Sequence, residues 1–210
     1  MPFDFKKEYK DLYFPKTEPC IVMVPTMNFI AVKGKGDPNE ENGEYSKAIE
    51  VLYALSYTLK FSPKNNYYIE GYFDYVVPPL EGFWWIPGLQ GMDYNRKDLL
   101  HWLAVIRLPD FVKPEDLDWA KGVVESKKKL DCAKAGFLTF EEGVCVQVMH
   151  IGAFDDEPKT IDKMHAYIDD IGYVLDFSDT RMHHEIYLSD IRKVKVENWK
   201  TVIRHPIKRK

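Results

Sequence analysis

Trp102-Leu-Ala-Val-Ile-Arg-Leu-Pro109 returns as Trp199-Lys-Thr-Val-Ile-Arg-His-Pro206, with Trp, Val, Ile, Arg and Pro matched at a separation of 97. Upstream, Phe29-Ile-Ala-Val-Lys-Gly-Lys-Gly36 aligns with Cys145-Val-Gln-Val-Met-His-Ile-Gly152 at a separation of 116. Leu55-Ser-Tyr-Thr-Leu59 keeps that separation from Ile171-Gly-Tyr-Val-Leu175. Two copies of one unit therefore account for most of the chain, and self-similarity constrains a fold more tightly than local propensity does. The drop from 116 to 97 means that the first copy carries about nineteen more residues, including the aromatic run near Trp84.

Working outward from these matches, each copy reads β-α-β-β. Residues 21–35 alternate and are β-branched, and Gly34, Gly36, Asp37 and Pro38 end that strand. Tyr45, Ala48, Ile49, Leu52, Leu55 and Leu59 recur at helical spacing across 44–60. Tyr67, Ile69, Tyr72, Tyr75 and Val77 predict a strand over 67–78, closed by Pro78-Pro79. Residues 80–97 read as an irregular insertion, and 99–108 as a strand ended by Pro109. Pro114 opens a helix to about Lys129, because proline suits the first turn and Glu115 and Asp116 favour the positive helix end. The second copy predicts a strand at 143–151, a helix at 158–171, and strands at 182–188 and 197–204. Residues 1–20, with Pro15 and Pro19, read as an extended lead-in. The expected fold class is α+β: a pseudo-symmetric duplication of a β-α-β-β unit, two antiparallel sheets with helices, and a ligand cleft between the halves, where such clefts are favoured. Residues 1–210 then form one domain of two repeats, about 21–128 and 143–205, expected to be a monomer.

Composition excludes some functions. A net charge of -4 speaks against nucleic acid as a direct partner, because phosphate binding needs a basic surface. The basic tail from Arg204 to Lys210 reads as a solvated terminus. Cys20, Cys132 and Cys145 have no paired spacing, which predicts free thiols in a reducing cytoplasm. No apolar run is long enough to span a membrane, and the first residues lack an apolar signal segment. Most of the 13 Tyr, 12 Phe and 5 Trp are expected in the core, but several sit in turn-like segments and invite a second reading.

His183-His-Glu-Ile-Tyr-Leu-Ser-Asp190 is the segment richest in chemistry. Alternation puts Glu185 and Tyr187 on one face of a strand and Ile186 and Leu188 on the other. Glu185 lies either on a solvated sheet face or in a cleft; in a cleft, desolvation would raise its pKa and make it a general base or a cation anchor. Phe83, Trp84 and Trp85 form either a plug over the core or an aromatic wall over a ligand. Trp199 reads as core, and Trp102 fits either role. His183 and His184 point to opposite faces and cannot easily chelate together, and no zinc spacing exists, so no metal is expected. No nucleophile elbow or phosphate loop is present, and Gly34-Lys-Gly36 is too short to cradle phosphate.

The duplicated β-α-β-β order, the strands ending at Gly36 and Gly152, and His184-Glu-Ile-Tyr-Leu-Ser-Asp190 resemble the GyrI-like small-molecule-binding family over roughly residues 20–205. Phe73-Asp-Tyr-Val-Val-Pro-Pro-Leu-Glu-Gly-Phe-Trp-Trp85 is similar to a stand-alone branch that includes cyclopropanoid cyclopropyl hydrolases. One departure is Ile191, where the family often has proline. The resemblance implies a cleft for flat, hydrophobic, often cationic xenobiotics, with the family's acidic residue at Glu185 as the catalytic group. It implies an aromatic cage at Trp84, Trp85, Tyr75 and Trp102, with Tyr57, His150 and Tyr187 as further ligand-binding candidates. It implies no cofactor. The alternatives are a non-catalytic multidrug-sequestering protein or an interaction protein of the gyrase-inhibitor type. Haem binding, as in SOUL-like relatives, lacks a lone axial histidine. Residues before 20 leave no room for a helix-turn-helix, so the chain is expected to act alone.

Overall fold

The computed structural model describes residues 1–89, 92, 93 and 96–210. The chain opens with two short helices, α1 (Phe5–Glu8) and α2 (Lys10–Tyr13), where an extended lead-in was expected. Asp4 caps α1 by accepting from the Lys6 N–H, and Phe5, Leu12 and Tyr13 turn inward, so apolar burial folds this segment. Then follow β1 (Cys20–Lys35), α3 (Glu44–Lys60), β2 (Leu80–Trp85), β3 (His101–Leu108), α4 (Pro114–Lys128), β4 (Ala135–Ile151), α5 (Glu157–Asp170), β5 (Tyr173–Leu175), β6 (His183–Tyr187) and β7 (Lys200–Arg209). The class is α+β, as expected. Among the described residues, no helix is long and apolar enough to cross a membrane.

All strands join one antiparallel sheet in the order β4-β1-β3-β2-β6-β7-β5, and β4 also pairs with β7. Six strands thus close on themselves. The expectation of two separate sheets is corrected: the halves are stitched by β1 to β4 and by β2 to β6, leaving no gap between sheets. One face of the six strands packs into a cluster with α1 and α2, around Phe29, Phe83, Val105, Cys145, Ile186 and Val202. The other face is covered by α3 and α4 over the first half and by α5 over the second. Any cleft must therefore lie outside the ring, between these helices.

Two local readings are also corrected. Residues 67–78 are not a strand; only Tyr75 makes a single bridge, to Phe3. Gly71 takes φ +75°, and Pro78 and Pro79 offer no N–H to a ladder. The alternating aromatics anchor the segment instead: Tyr67 stacks on Trp119 at 4.0 Å and donates to Asp116 at 2.8 Å. Conversely, residues 80–85 of the supposed irregular insertion form a central strand, and part of that insertion, residues 90, 91, 94 and 95, lies outside the described residues. β2 sits between β3 and β6, so Phe83 and Trp84 are strand residues on opposite faces rather than a loop cluster.

The sheet registers bear on the repeat. The Gly36 N–H donates to the Leu100 carbonyl, and the Gly152 N–H donates to the Trp199 carbonyl. Trp199 therefore stands where Leu100 stands, two residues out of step with the sequence match to Trp102. The pairing pattern of the two strand pairs matches, but the Trp102–Trp199 equivalence behind the repeat does not hold. Trp102 is wholly buried, and a Cβ on its cross-strand partner Gly34 would come within 2.3 Å of its indole. Gly34→Ala is expected to lower stability by about 1–3 kcal/mol through overpacking, read as a drop in the urea midpoint. An unchanged midpoint would show that the indole shifts freely.

Candidate functional site

The sequence His183–Tyr187 alternates, so His183, Glu185 and Tyr187 emerge on the outer face while His184 and Ile186 point into the ring. Gly82 of β2 faces Glu185 across the strand pair. A Cβ there would lie 2.6 Å from Trp84 Nε1 and 3.0 Å from the Tyr187 hydroxyl, so the missing side chain makes the space in which these groups meet. Trp84 Nε1 donates to the Tyr187 hydroxyl at 3.0 Å, and that hydroxyl donates to Glu185 Oε2 at 2.7 Å. Glu185 Oε1 accepts from His183 Nε2 at 2.8 Å. His183 Nδ1 lies 2.6 Å from His205 Nε2, and His205 Nδ1 lies 2.9 Å from His165 Nε2 on α5.

Of these groups, Trp84, Glu185 and Tyr187 form the floor of a cleft of about 1330 Å³ between α3 and the start of α5. Glu185 is 7 % exposed and lines it, so the solvated-face alternative is set aside. Tyr45, Ile49 and Tyr53 project from α3 at four-residue spacing, and Phe154 and Trp199 line the opposite wall. Tyr45 lies 5.0 Å from Trp84, and Phe154 meets Tyr187 edge-on at 5.8 Å and Trp199 at 5.2 Å. Lys97 reaches Asp155 at 2.9 Å across one end.

Electrostatics refine the expected chemistry. Burial alone would raise the Glu185 pKa, but hydrogen bonds from His183 and Tyr187 hold it below the usual carboxylate value. The expectation of a raised pKa is therefore corrected: the carboxylate is ionised at neutral pH. Burial and the adjacent Glu185 charge push the Tyr187 phenol well above its ordinary range, so it keeps its proton and donates. Burial, then the neighbouring His183 and His165, drive His205 well below the usual imidazole value, so it stays neutral.

Glu157, at the head of α5, also hydrogen-bonds Glu185. Donor atoms of Glu157, His183 and Glu185 lie within 4.8 Å of one another, the one such group among the described residues able to offer three ligands to a cation. Sequence spacing could not reveal it, because the residues come from two distant elements. A cation here would displace the bonds that Glu185 already accepts from His183 and Tyr187.

Of the sequence candidates, Glu185, Trp84 and Tyr187 meet at the cleft floor, and the exposed Tyr57 lines its rim. The other four are not among its lining residues. Trp85 packs beside His101 beneath the Lys33 ammonium. Trp102 is core, against Tyr45. Tyr75 is buried on the other face between Phe5 and Phe111. His150 is buried and pins the turn into α5 through Thr160 Oγ1 at 2.8 Å and the Ala153 carbonyl at 2.9 Å. Sequence reasoning missed Tyr45, Tyr53, Phe154 and His205, and read Trp199 as core. The Tyr45, Ile49, Tyr53 stripe was legible as a helix face but looked like core.

Residues 17–208 match the profile of the GyrI-like small molecule binding domain. A hydrolase from Listeria innocua is 45 % identical, with a TM-score of 0.89 over 98 % of this chain and 100 % of its own. An uncharacterized conserved protein from the same organism is 46 % identical, with a TM-score of 0.92 over 98 % of this chain and 100 % of its own. The EcmrR C-terminal domain, 13 % identical with a TM-score of 0.56 over 92 % of this chain and 98 % of its own, shares the fold alone. No curated protein matches the sequence.

Proposed function

The chain belongs to the GyrI-like small-molecule-binding family, and from that premise we propose that its cleft takes flat hydrophobic xenobiotics and hydrolyses the cyclopropane of cyclopropanoid DNA-alkylating compounds. One observation carries this reading: an ionised, buried carboxylate, Glu185, lies at the floor of an aromatic cleft. The similarity to a hydrolase at 45 % identity supports it. In this reading the protein is a cytoplasmic monomer with no nucleic-acid partner.

The chemistry follows from placement. Tyr45, Trp84 and Phe154 present ring faces and edges to a flat ligand. Water adds to the strained carbon, the cyclopropane C–C bond breaks, and its electron pair moves through the dienone to the carbonyl oxygen. Glu185 orients the water and takes its proton. The oxygen, now a phenolate, takes up a proton to become the phenol. The ring faces and the Glu185 charge steady positive character at the opening carbon. Incubation with a cyclopropane-bearing alkylator should yield a product heavier by one water; recovery of unchanged alkylator would sink the reading.

A second reading, a multidrug-sequestering protein, is favoured by one fact. The depressed Glu185 pKa weakens it as a base while keeping it charged as a counter-ion for cationic drugs. Both readings predict that Trp84 touches the ligand and Trp85 does not. Trp84→Ala is expected to weaken a flat dye about tenfold, near 1.4 kcal/mol, with Trp85→Ala unchanged. Fluorescence titration of both variants reads this, and equal affinities would remove Trp84 from the wall.

A further inference from the structure

Three histidines stand in line behind the catalytic carboxylate. His183 lies on β6, His205 on β7 and His165 on α5, bridging strand to strand to helix. The contacts, 2.8 Å from His183 Nε2 to Glu185, 2.6 Å from His205 to His183 and 2.9 Å from His165 to His205, leave no room for intervening water. His183 and His205 are buried, and His165 is half-buried at the outer end beside Asp162.

The direction of the chain follows from the acceptor at its end. An ionised carboxylate only accepts, so His183 must donate from Nε2. On a neutral His183 ring, which carries one proton, Nδ1 accepts and His205 donates from Nε2. His205 in turn accepts at Nδ1 from His165 Nε2. The groups facing Glu185 are His183 and Tyr187 of β6, Glu157 of α5 and Tyr45 of α3. Behind the ring, His183 Nδ1 meets His205 Nε2.

We propose that His205 and His165 are positioning residues whose directed hydrogen bonds fix the His183 proton on Nε2 and so hold Glu185 in its reactive orientation in the cleft. The proposal rests on the hydrolase reading for its effect on rate, but not for the tautomer it assigns.

His205→Leu removes the donor, whereas His205→Gln restores an N–H that can reach His183 Nδ1. Turnover of the cyclopropane-bearing alkylator is expected to fall about tenfold or more in His205→Leu, part of what a general base is worth, with KM little changed. His205→Gln should recover most of it. If His205→Leu does not fold, His165→Leu at the half-buried end takes its place, with a smaller loss expected. Histidine ¹⁵N spectra of the intact protein give the second readout: His183 protonated on Nε2 in wild type and His205→Gln, and mixed tautomers in His205→Leu. A wild-type His183 protonated on Nδ1, or on both nitrogens, overturns the proposal whatever the enzyme does. Equal kcat in the Leu and Gln variants overturns it as well. Absence of turnover in wild type fails the hydrolase reading instead, and the spectra still decide the tautomer.

Discussion

Glu185→Gln is expected to lower turnover of a cyclopropane-bearing alkylator about a hundredfold or more, the usual cost of losing a well-placed general base. The amide keeps the shape of the site: its oxygen can still accept from His183, and its nitrogen can meet the Tyr187 oxygen. What disappears is the charge and the basicity. Binding of a neutral flat ligand should barely move, because ring contact and area burial dominate there. A cationic dye should bind more weakly, since the aromatic walls lose their counter-charge. Single-turnover kinetics beside two dye titrations would show this split. Wild-type turnover in Glu185→Gln would remove the residue from the mechanism. Tight binding with no turnover even in wild type would hand the case to the sequestering alternative.

Glu142→Gln is expected to lower stability by about 3–5 kcal/mol, because it breaks a buried ionic cluster and leaves cations uncompensated. Inside the ring, Glu142 Oε2 accepts from His184 Nδ1 at 3.1 Å and from Arg204 at 3.2 Å. His184 Nε2 meets Glu81 at 3.0 Å, and Arg204 also donates to Gln147 and to the Leu12 carbonyl. Burial would raise the Glu142 pKa, but the His184 and Arg204 charges outweigh it and hold it at about 2. Burial would lower His184, but Glu142 and Glu81 outweigh that and raise it above 6.5. A depressed carboxylate contributes stability that is present above its ordinary value of 4.5 and lost as pH falls toward about 2. A raised histidine contributes stability that is full below 6.5 and lost as pH rises through its folded value. The cluster therefore stabilises most between those limits. Urea midpoints across pH should show the acid limb flattened in Glu142→Gln, and a wild-type midpoint in the variant would refute the account.

The cluster and Glu185 are built from neighbouring residues. His184 serves the interior while His183 and Glu185 serve the cleft, because a strand sends alternate side chains to opposite faces. That parity was legible in the sequence. So were α3, α4, α5 and β3, each within a residue or two, because helical spacing, a leading proline and a closing proline are local signals. Local pattern failed between residues 67 and 85. Alternating aromatics looked like a strand but were anchors against Trp119 and Phe111, and a run of bulky rings looked like a loop but was the central strand of the sheet. Burial on both faces hides the alternation that marks a half-exposed strand.

The chain by itself determined the α+β class, the order of most helices and strands, and that Glu185 and Tyr187 share a face. These follow from periodicity, which is a property of neighbours in sequence. Only the tertiary structure decided that the halves share one closed sheet, that Trp84 rather than Trp85 meets Tyr187, and that His205 and His165 stand behind His183. The strand residues among these depend on the register between strands far apart in the chain, where a shift of one residue would send them to the other face, and His165 depends on the packing of α5 against β7.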